Sequence, residues 1–170
     1  MISSNDIHYM RSAINMGRRG IGRTGENPSV GCVIVKNDAI ISRARTADNG
    51  RPHAESQALK LAGDRARGAT LYVTLEPCAH HGNTPPCVDA ILSSGVARVV
   101  VGLVDSDPRT AGQSIRKMKD AGIDVEINVL KEECEELHRG FISRVIKKRP
   151  FVTLKCACTL DGKIALSSGE

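Results

Sequence analysis

Apolar residues recur at helical spacing near the start of the chain. Ile7, Met10, Ile14 and Met16 line one side of a helix over residues 5–18, with Asn5 or Asp6 available as its cap. A glycine- and arginine-rich loop follows. The alternation then changes to that of strands, and residues 29–44 read as a hairpin turning at Asn37-Asp38. A helix from His53 to about Gly63 has Ala54, Ala58, Leu59 and Leu61 as its apolar positions. Residues 69–75 form a strand. Pro77 suits the first turn of a helix, since its missing N–H costs nothing there, and a second helical stretch runs from Val88 to Gly95. The continuous apolar run at 97–105 is a buried strand. Residues 113–122 are a helix stopped by Gly122, 123–130 a strand, and 131–148 a long charged helix. The order α-β-β-α-β-α-β-α-β-α predicts an α/β sandwich, a sheet covered by helices on both faces.

The pattern changes after Arg149-Pro150. The segment FVTLKCAC (151–158) is apolar on both faces, as a strand buried inside a sheet would be. A lone strand cannot bury both faces, so it must dock, pair with another chain, or stay loose.

The chain's 170 residues suit a single main domain, and 41% hydrophobic residues are enough for a core. No apolar run reaches the ~18 residues of a membrane span, and the first residues lack the layout of a secretory signal. The expectation is a cytoplasmic protein that contacts no membrane. Six cysteines, at 32, 78, 87, 134, 156 and 158, are too scattered for a disulfide framework. A net charge of +5 suits a phosphorylated ligand or nucleic acid. The aromatics are Tyr9, Tyr72, Phe141 and Phe151, too few for the stacking that grips single strands, so no nucleic-acid partner is expected.

The chemistry concentrates in PHAES (52–56) and TLEPCAHHGNTPPC (74–87). One His and two Cys, namely His53, Cys78 and Cys87, suit zinc and leave its fourth position open, as a catalytic site requires. Two thiolates and an imidazole offset the metal's charge, so a proton acceptor beside the metal's water becomes important. Glu55 supplies it: residues two apart on a helix lie ~200° around its axis, so His53 can ligate while Glu55 reaches past. Both the His53 helix and a Pro77-Cys78 helix are expected to aim their N-termini at the metal, favouring thiolates there. This combination follows the H-x-E…P-C-x-x-C signature of zinc deaminases. The other four cysteines have no partner at ligand spacing.

The last two ligands are spaced C-x8-C rather than C-x2-C. With NPSVGCVIV, PHAE, ATLYVTLEPCAHHGNTPPC, the D-x-D-P stretch at 105–108 and RPFVTLKCACTLDGKIA, the chain resembles the deaminase half of the bifunctional riboflavin-biosynthesis deaminase/reductase family. The resemblance implies a cytidine-deaminase-like three-layer α-β-α sandwich around a five-stranded mixed sheet. It implies hydrolysis of the 2-amino group of 2,5-diamino-6-ribosylamino-4(3H)-pyrimidinone 5′-phosphate, so the partner is a small pyrimidine ribotide. His53, Cys78 and Cys87 match the family's zinc ligands and Glu55 its proton donor. Asn27 and His80 match substrate-pocket positions, and Ala54, between His53 and Glu55, joins them as a substrate-contact candidate. Residues 1–149 would be the deaminase domain, and 150–170 the first strand of a reductase domain. NADPH would bind only with the rest of that reductase present, so reductase activity is not expected. A fragment and a deaminase-only protein are both compatible with this, and a homo-oligomer is possible.

Three positions depart from the family. Asn83 stands where Lys or Arg usually lies near the ribose phosphate, Thr46 where His is frequent seven residues before the zinc His, and Ser114 in place of a second Gly. Arg45, Arg51 and Arg109 are the candidates to compensate at the phosphate. Two other readings compete. Deaminases of other bases, nucleosides or tRNA usually keep C-x2-C. A module with structural zinc would need a fourth ligand and no exposed water.

Overall fold

The structure, a computed structural model, describes residues 2–82, 84–106, 111–165 and 167–169. Helix α1 (Ser4–Arg18) is capped by Ser3, not by Asn5 or Asp6. Ser3 Oγ accepts the Asp6 N–H (3.1 Å) and Asp6 Oδ2 accepts the Ser3 N–H (2.9 Å). Asp6 sits three residues past the cap, so its side chain can return the bond, and the helix begins earlier than its apolar pattern. Strands β1 (Gly31–Lys36) and β2 (Ala39–Arg45) form the expected hairpin. Its turn places Asn37 and Asp38 at φ 50° and 57°, the tight left-handed turn these residue types tolerate. Then come α2 (Ala54–Ala62), β3 (Thr70–Val73), α3 (Cys87–Ser94), β4 (Arg98–Val101), α4 (Gln113–Asp120), β5 (Asp124–Ile127) and α5 (Lys131–Lys147).

The sheet order is β2-β1-β3-β4-β5. β1 is antiparallel to both β2 and β3, whereas β3, β4 and β5 are parallel, so the sheet is mixed. α1 packs on β1 and touches α5, while α2, α3 and α4 contact one another in turn. These two sets cover the two faces, which is why Cys32, Val33 and Ile34 are all buried despite pointing alternately. A Cβ on Gly31 would lie 1.8 Å from the Ala13 carbonyl oxygen, so glycine is required where α1 lies against β1. At the far end of α1, the buried Asp6 carboxylate takes two guanidinium nitrogens of Arg98 (2.6 and 3.2 Å) and the Tyr72 hydroxyl (3.0 Å). This joins α1 to β3 and β4.

Two predicted elements do not form. No helix starts at Pro77: residues 74–82 and 84–86 are irregular and α3 begins at Cys87. Pro85 and Pro86 have no N–H and push the preceding residue out of helical geometry, so the helix forms only beyond them. Residues 151–158 make no strand, and among the described residues no other strand lies alongside to form a ladder. Val152 and Leu154 are 80% and 88% exposed, and Phe151 lies under the Arg139 guanidinium at 4.6 Å. Leu61, expected on the apolar face of α2, is 62% exposed.

Candidate metal centre and active site

Three chain segments meet at the ends of the central strands. His53 is the cap residue of α2, Cys87 opens α3, and Cys78 lies in the irregular stretch after β3. His53 Nδ1 is 3.3 Å from Cys87 Sγ and 3.7 Å from Cys78 Sγ, and the three ligand atoms all lie within 4.8 Å of one another. Zn–S and Zn–N bonds of about 2.3 and 2.0 Å at tetrahedral angles separate ligand atoms by roughly 3.5–3.8 Å, so these donors are spaced for one zinc ion. No other group of three His, Cys, Asp or Glu side chains among the described residues has such spacing. None of the six cysteines is in a disulfide, and Cys32 and Cys134 are buried and do not belong to this ligand group.

Hydrogen bonds within the group redistribute its protons. The Cys87 thiol, then His53 and the Cys87 N–H, outweigh burial and push the Cys78 thiol down to about 4. The same contact with Cys78, together with burial and Glu55, pushes Cys87 far up. His53 is raised, chiefly by its hydrogen bond to Cys78. A metal ion would need both thiols deprotonated and the imidazole neutral, and it would replace the close hydrogen-bonded contacts through which these three side chains now share protons.

Glu55, in the first turn of α2, is 3% exposed. Burial raises its pKa, opposed in part by His53. Its Oε2 has no hydrogen-bond partner among the described residues, although a buried carboxylate oxygen normally has one. That orphaned oxygen, beside a His/Cys/Cys set with room for a fourth ligand, is what a zinc-bound water would satisfy. The residues therefore fit zinc.

A cavity of about 120 Å³ opens above this group. Its wall includes Asn27, Thr46, Arg51, His53, Glu55, Glu76, Cys78 and His80. Asn27 is held by its own loop: Nδ2 donates to the Gly50 carbonyl (3.3 Å), and Thr24 Oγ1 donates to the Asn27 carbonyl (2.7 Å). Gly50 has φ +88°, and a Cβ there would strike Asn27 Nδ2 at 2.2 Å. Thr46 accepts the Val30 N–H and donates to the Pro28 carbonyl, both at 3.0 Å, so it pins the same loop. Ala54 is fully buried and does not line the cavity. Asn83 and Arg109 lie outside the described residues, as do two of the four positions of the D-x-D-P stretch.

Two supports escaped the sequence reading. The Glu76 carboxylate, buried two residues before Cys78, takes four donors from the described residues. Oε2 accepts the Asp105 and Gly112 N–H groups (3.2 and 2.9 Å), and Oε1 accepts the Ser114 N–H and hydroxyl (3.2 and 2.8 Å). It thus caps α4 from outside and ties Asp105, another wall residue, to the segment bearing Cys78. Ser114 adds a donor that glycine would lack. Thr74, at the end of β3, accepts the Gly31 N–H (3.1 Å) and lies 3.1 Å from Nε2 of the buried His138. A charged residue in an otherwise apolar TLEPC stretch was the available hint for Glu76.

Comparison with known proteins agrees with this geometry. The cytidine and deoxycytidylate deaminase zinc-binding region matches residues 3–103. Riboflavin biosynthesis protein RibD of Escherichia coli strain K12 is 47% identical over 165 residues, covering 97% of this chain and 45% of that protein. RibD of Aquifex aeolicus strain VF5 is 47% identical over 170 residues, covering 100% and 48%. Among solved structures, a diaminohydroxyphosphoribosylaminopyrimidine deaminase/5-amino-6-(5-phosphoribosylamino)uracil reductase from Thermotoga maritima superposes with a TM-score of 0.89 at 47% identity, covering 98% of this chain and 48% of that one. A tRNA:A34 deaminase, at 24% identity and TM-score 0.59, shares the fold alone. The chain spans slightly less than half the length of the curated relatives it matches. No helix among the described residues is long and apolar enough to cross a membrane. By its matched region, which spans more than half of its length, and by its five-stranded mixed sheet, this chain belongs to the cytidine and deoxycytidylate deaminase zinc-binding family.

Proposed function

We propose that this chain removes the 2-amino group of 2,5-diamino-6-ribosylamino-4(3H)-pyrimidinone 5′-phosphate by hydrolysis, releasing ammonia, with zinc held by His53, Cys78 and Cys87. The observation that carries the reading is the unpartnered, buried Glu55 Oε2 beside that ligand set. The names of the riboflavin-biosynthesis relatives, above all that of the Thermotoga maritima deaminase/reductase, support the choice of substrate. Residues 1–149 act as the deaminase unit, and 150–170 begin a separate one.

Bound zinc supplies Lewis acidity, lowering the pKa of a water towards ~7. Glu55 does the proton work. Burial raises its affinity for a proton, so it can take one from the nucleophilic water and pass it to the ring nitrogen next to the reacting carbon. A second transfer through the same carboxyl protonates the departing amine, which leaves as ammonia. One buried carboxyl can serve both steps because neither oxygen faces bulk water. Asn27, fixed by Gly50, offers an acceptor and a donor to the ring or ribose, and His80 faces the same space. Cavity wall and metal group together exclude solvent from the reacting carbon.

The test is ammonia release from the ribotide by zinc-loaded protein, with cytidine, guanine and adenosine in parallel. Turnover of the ribotide alone is expected. Turnover of one of the others, with none of the ribotide, would assign a different substrate.

A further inference from the structure

We infer that Arg51, steadied by Thr84, forms an anion-binding subsite at the mouth of the cavity, and that it takes the 5′-phosphate of the substrate. The inference rests on the substrate reading above for the identity of the anion, but the subsite itself stands on geometry.

The cavity runs from buried to exposed. Glu55 lies at its deep end, while Gly82 and Thr84 at its other end are exposed. Arg51 lies at that outer end: Nη1 donates to Thr84 Oγ1 (2.6 Å), and a Cβ placed on Gly82 would sit 3.3 Å from Nη2. The guanidinium therefore lies across the loop that follows His80 and His81. Among the described residues it has a hydroxyl partner and no carboxylate. A planar cation with spare donors, half-buried and facing a cavity, is suited to a phosphate.

Arg109 lies outside the described residues, and the two other nearby arginines are engaged elsewhere. Arg45 donates to Asp48 Oδ1 and to the Thr46 carbonyl, both at 2.7 Å, and does not line the cavity. Arg144 lines it, but donates to the Glu26 carbonyl (2.8 Å) and lies over Phe141. The depth order also matches the ligand. The pyrimidine must reach Glu55, so the ribose points outward and the phosphate, the group most costly to strip of water, comes to rest at the rim. Arg51 is two residues before His53, so α2 and its leading segment would position both the base and the phosphate.

Two experiments test this. Ribose 5-phosphate binding, measured by calorimetry on the zinc-loaded protein, needs no turnover. Arg51→Met should weaken it by about 10- to 100-fold, the scale of one charge-assisted pair, while Arg51→Lys should keep part of the affinity. Equal affinity in wild type and Arg51→Met, or no binding to wild type at millimolar ligand, overturns the subsite. The second experiment compares kcat/KM for the ribotide and its dephosphorylated ribonucleoside. Wild type should prefer the ribotide, and Arg51→Met should erase most of the preference by losing rate on the ribotide alone. A uniform loss on both substrates overturns the assignment. If ribose 5-phosphate binds through Arg51 but the ribotide yields no ammonia, the substrate reading fails and the anion subsite stands.

Discussion

The backbone N–H of Cys87 donates to Sγ of Cys78 across 3.2 Å. This bond closes the eight-residue excursion between the two cysteines, at the N-terminal end of α3. Cys78 gains a helix-end amide although it lies on no helix itself, and α3 gains an acceptor for one of its unsatisfied first-turn donors. The long spacing between the ligands therefore does not separate them. It leaves His80, Gly82 and Thr84 free to shape the outer wall of the cavity.

Protein purified without added metal is expected to carry about one zinc per chain. Cys87→Ser should lose it, and the Cys78→Ser/Cys87→Ser double variant should bind none. Retention should weaken on acidification, because protons compete for the same thiolates and imidazole. Metal analysis after dialysis checks this, and stoichiometric zinc in the double variant would move the metal elsewhere.

Glu55→Gln should keep fold and zinc but lose turnover by at least about 10²- to 10⁴-fold, the usual cost of removing a general acid–base group. The amide fills the same space and cannot exchange a proton. Steady-state ammonia release alongside zinc content reads the outcome. Activity within about tenfold of wild type, well short of that loss, would assign the protons to another group.

Glu76→Gln replaces one carboxylate oxygen by an amide NH2, whichever way it turns, and so faces two donors with a donor. A loss of about 3 kcal/mol is expected, against about 1 kcal/mol for Ser114→Ala, which removes a single hydroxyl bond. Amide exchange at Gly112 and Ser114 should quicken in Glu76→Gln while zinc is retained. Unchanged protection at these two amides would mean that the carboxylate does not hold the 105–114 segment.

Burial pushes the His138 imidazole down to about 4. In the unfolded chain it titrates near ~6.5. Between these values the unfolded chain binds a proton that the folded one does not, so stability rises with pH across the window and is lost as pH falls from 6.5 to 4. The full effect is on the order of 3 kcal/mol. Urea denaturation of wild type and His138→Gln at pH 7.5, 5.5 and 4.5 isolates it, with the steeper loss expected in wild type. Parallel curves for the two proteins would contradict a neutral, buried His138.

Some of this protein was determined by its sequence alone. Apolar spacing of 3.6 and 2 residues placed α1, the β1–β2 hairpin and the order of the ten elements, because each pattern is local and each side must be buried. The candidate site was equally visible: His53, Cys78, Cys87 and Glu55 differ in chemistry from everything around them, and the fold brings them to one cavity and its floor, while the family resemblance carried the three-layer sandwich. Tertiary structure decided what depends on neighbours far along the chain. Glu76 meets Ser114 38 residues away, and no local pattern states that a carboxylate will cap another segment's helix. Helix α3 begins at Cys87, close to where its apolar pattern placed it, whereas the separate helix expected at Pro77 does not form, and Pro85 and Pro86 keep helical geometry from starting earlier. The apolar FVTLKCAC segment forms no strand because a strand is a property of a pair, and no partner lies beside it. Of Arg45, Arg51 and Arg109, the last lies outside the described residues, and the choice between the other two was likewise tertiary. All carry the same charge in the sequence, and only packing determined that Arg45 is paired to Asp48 while Arg51 faces the cavity.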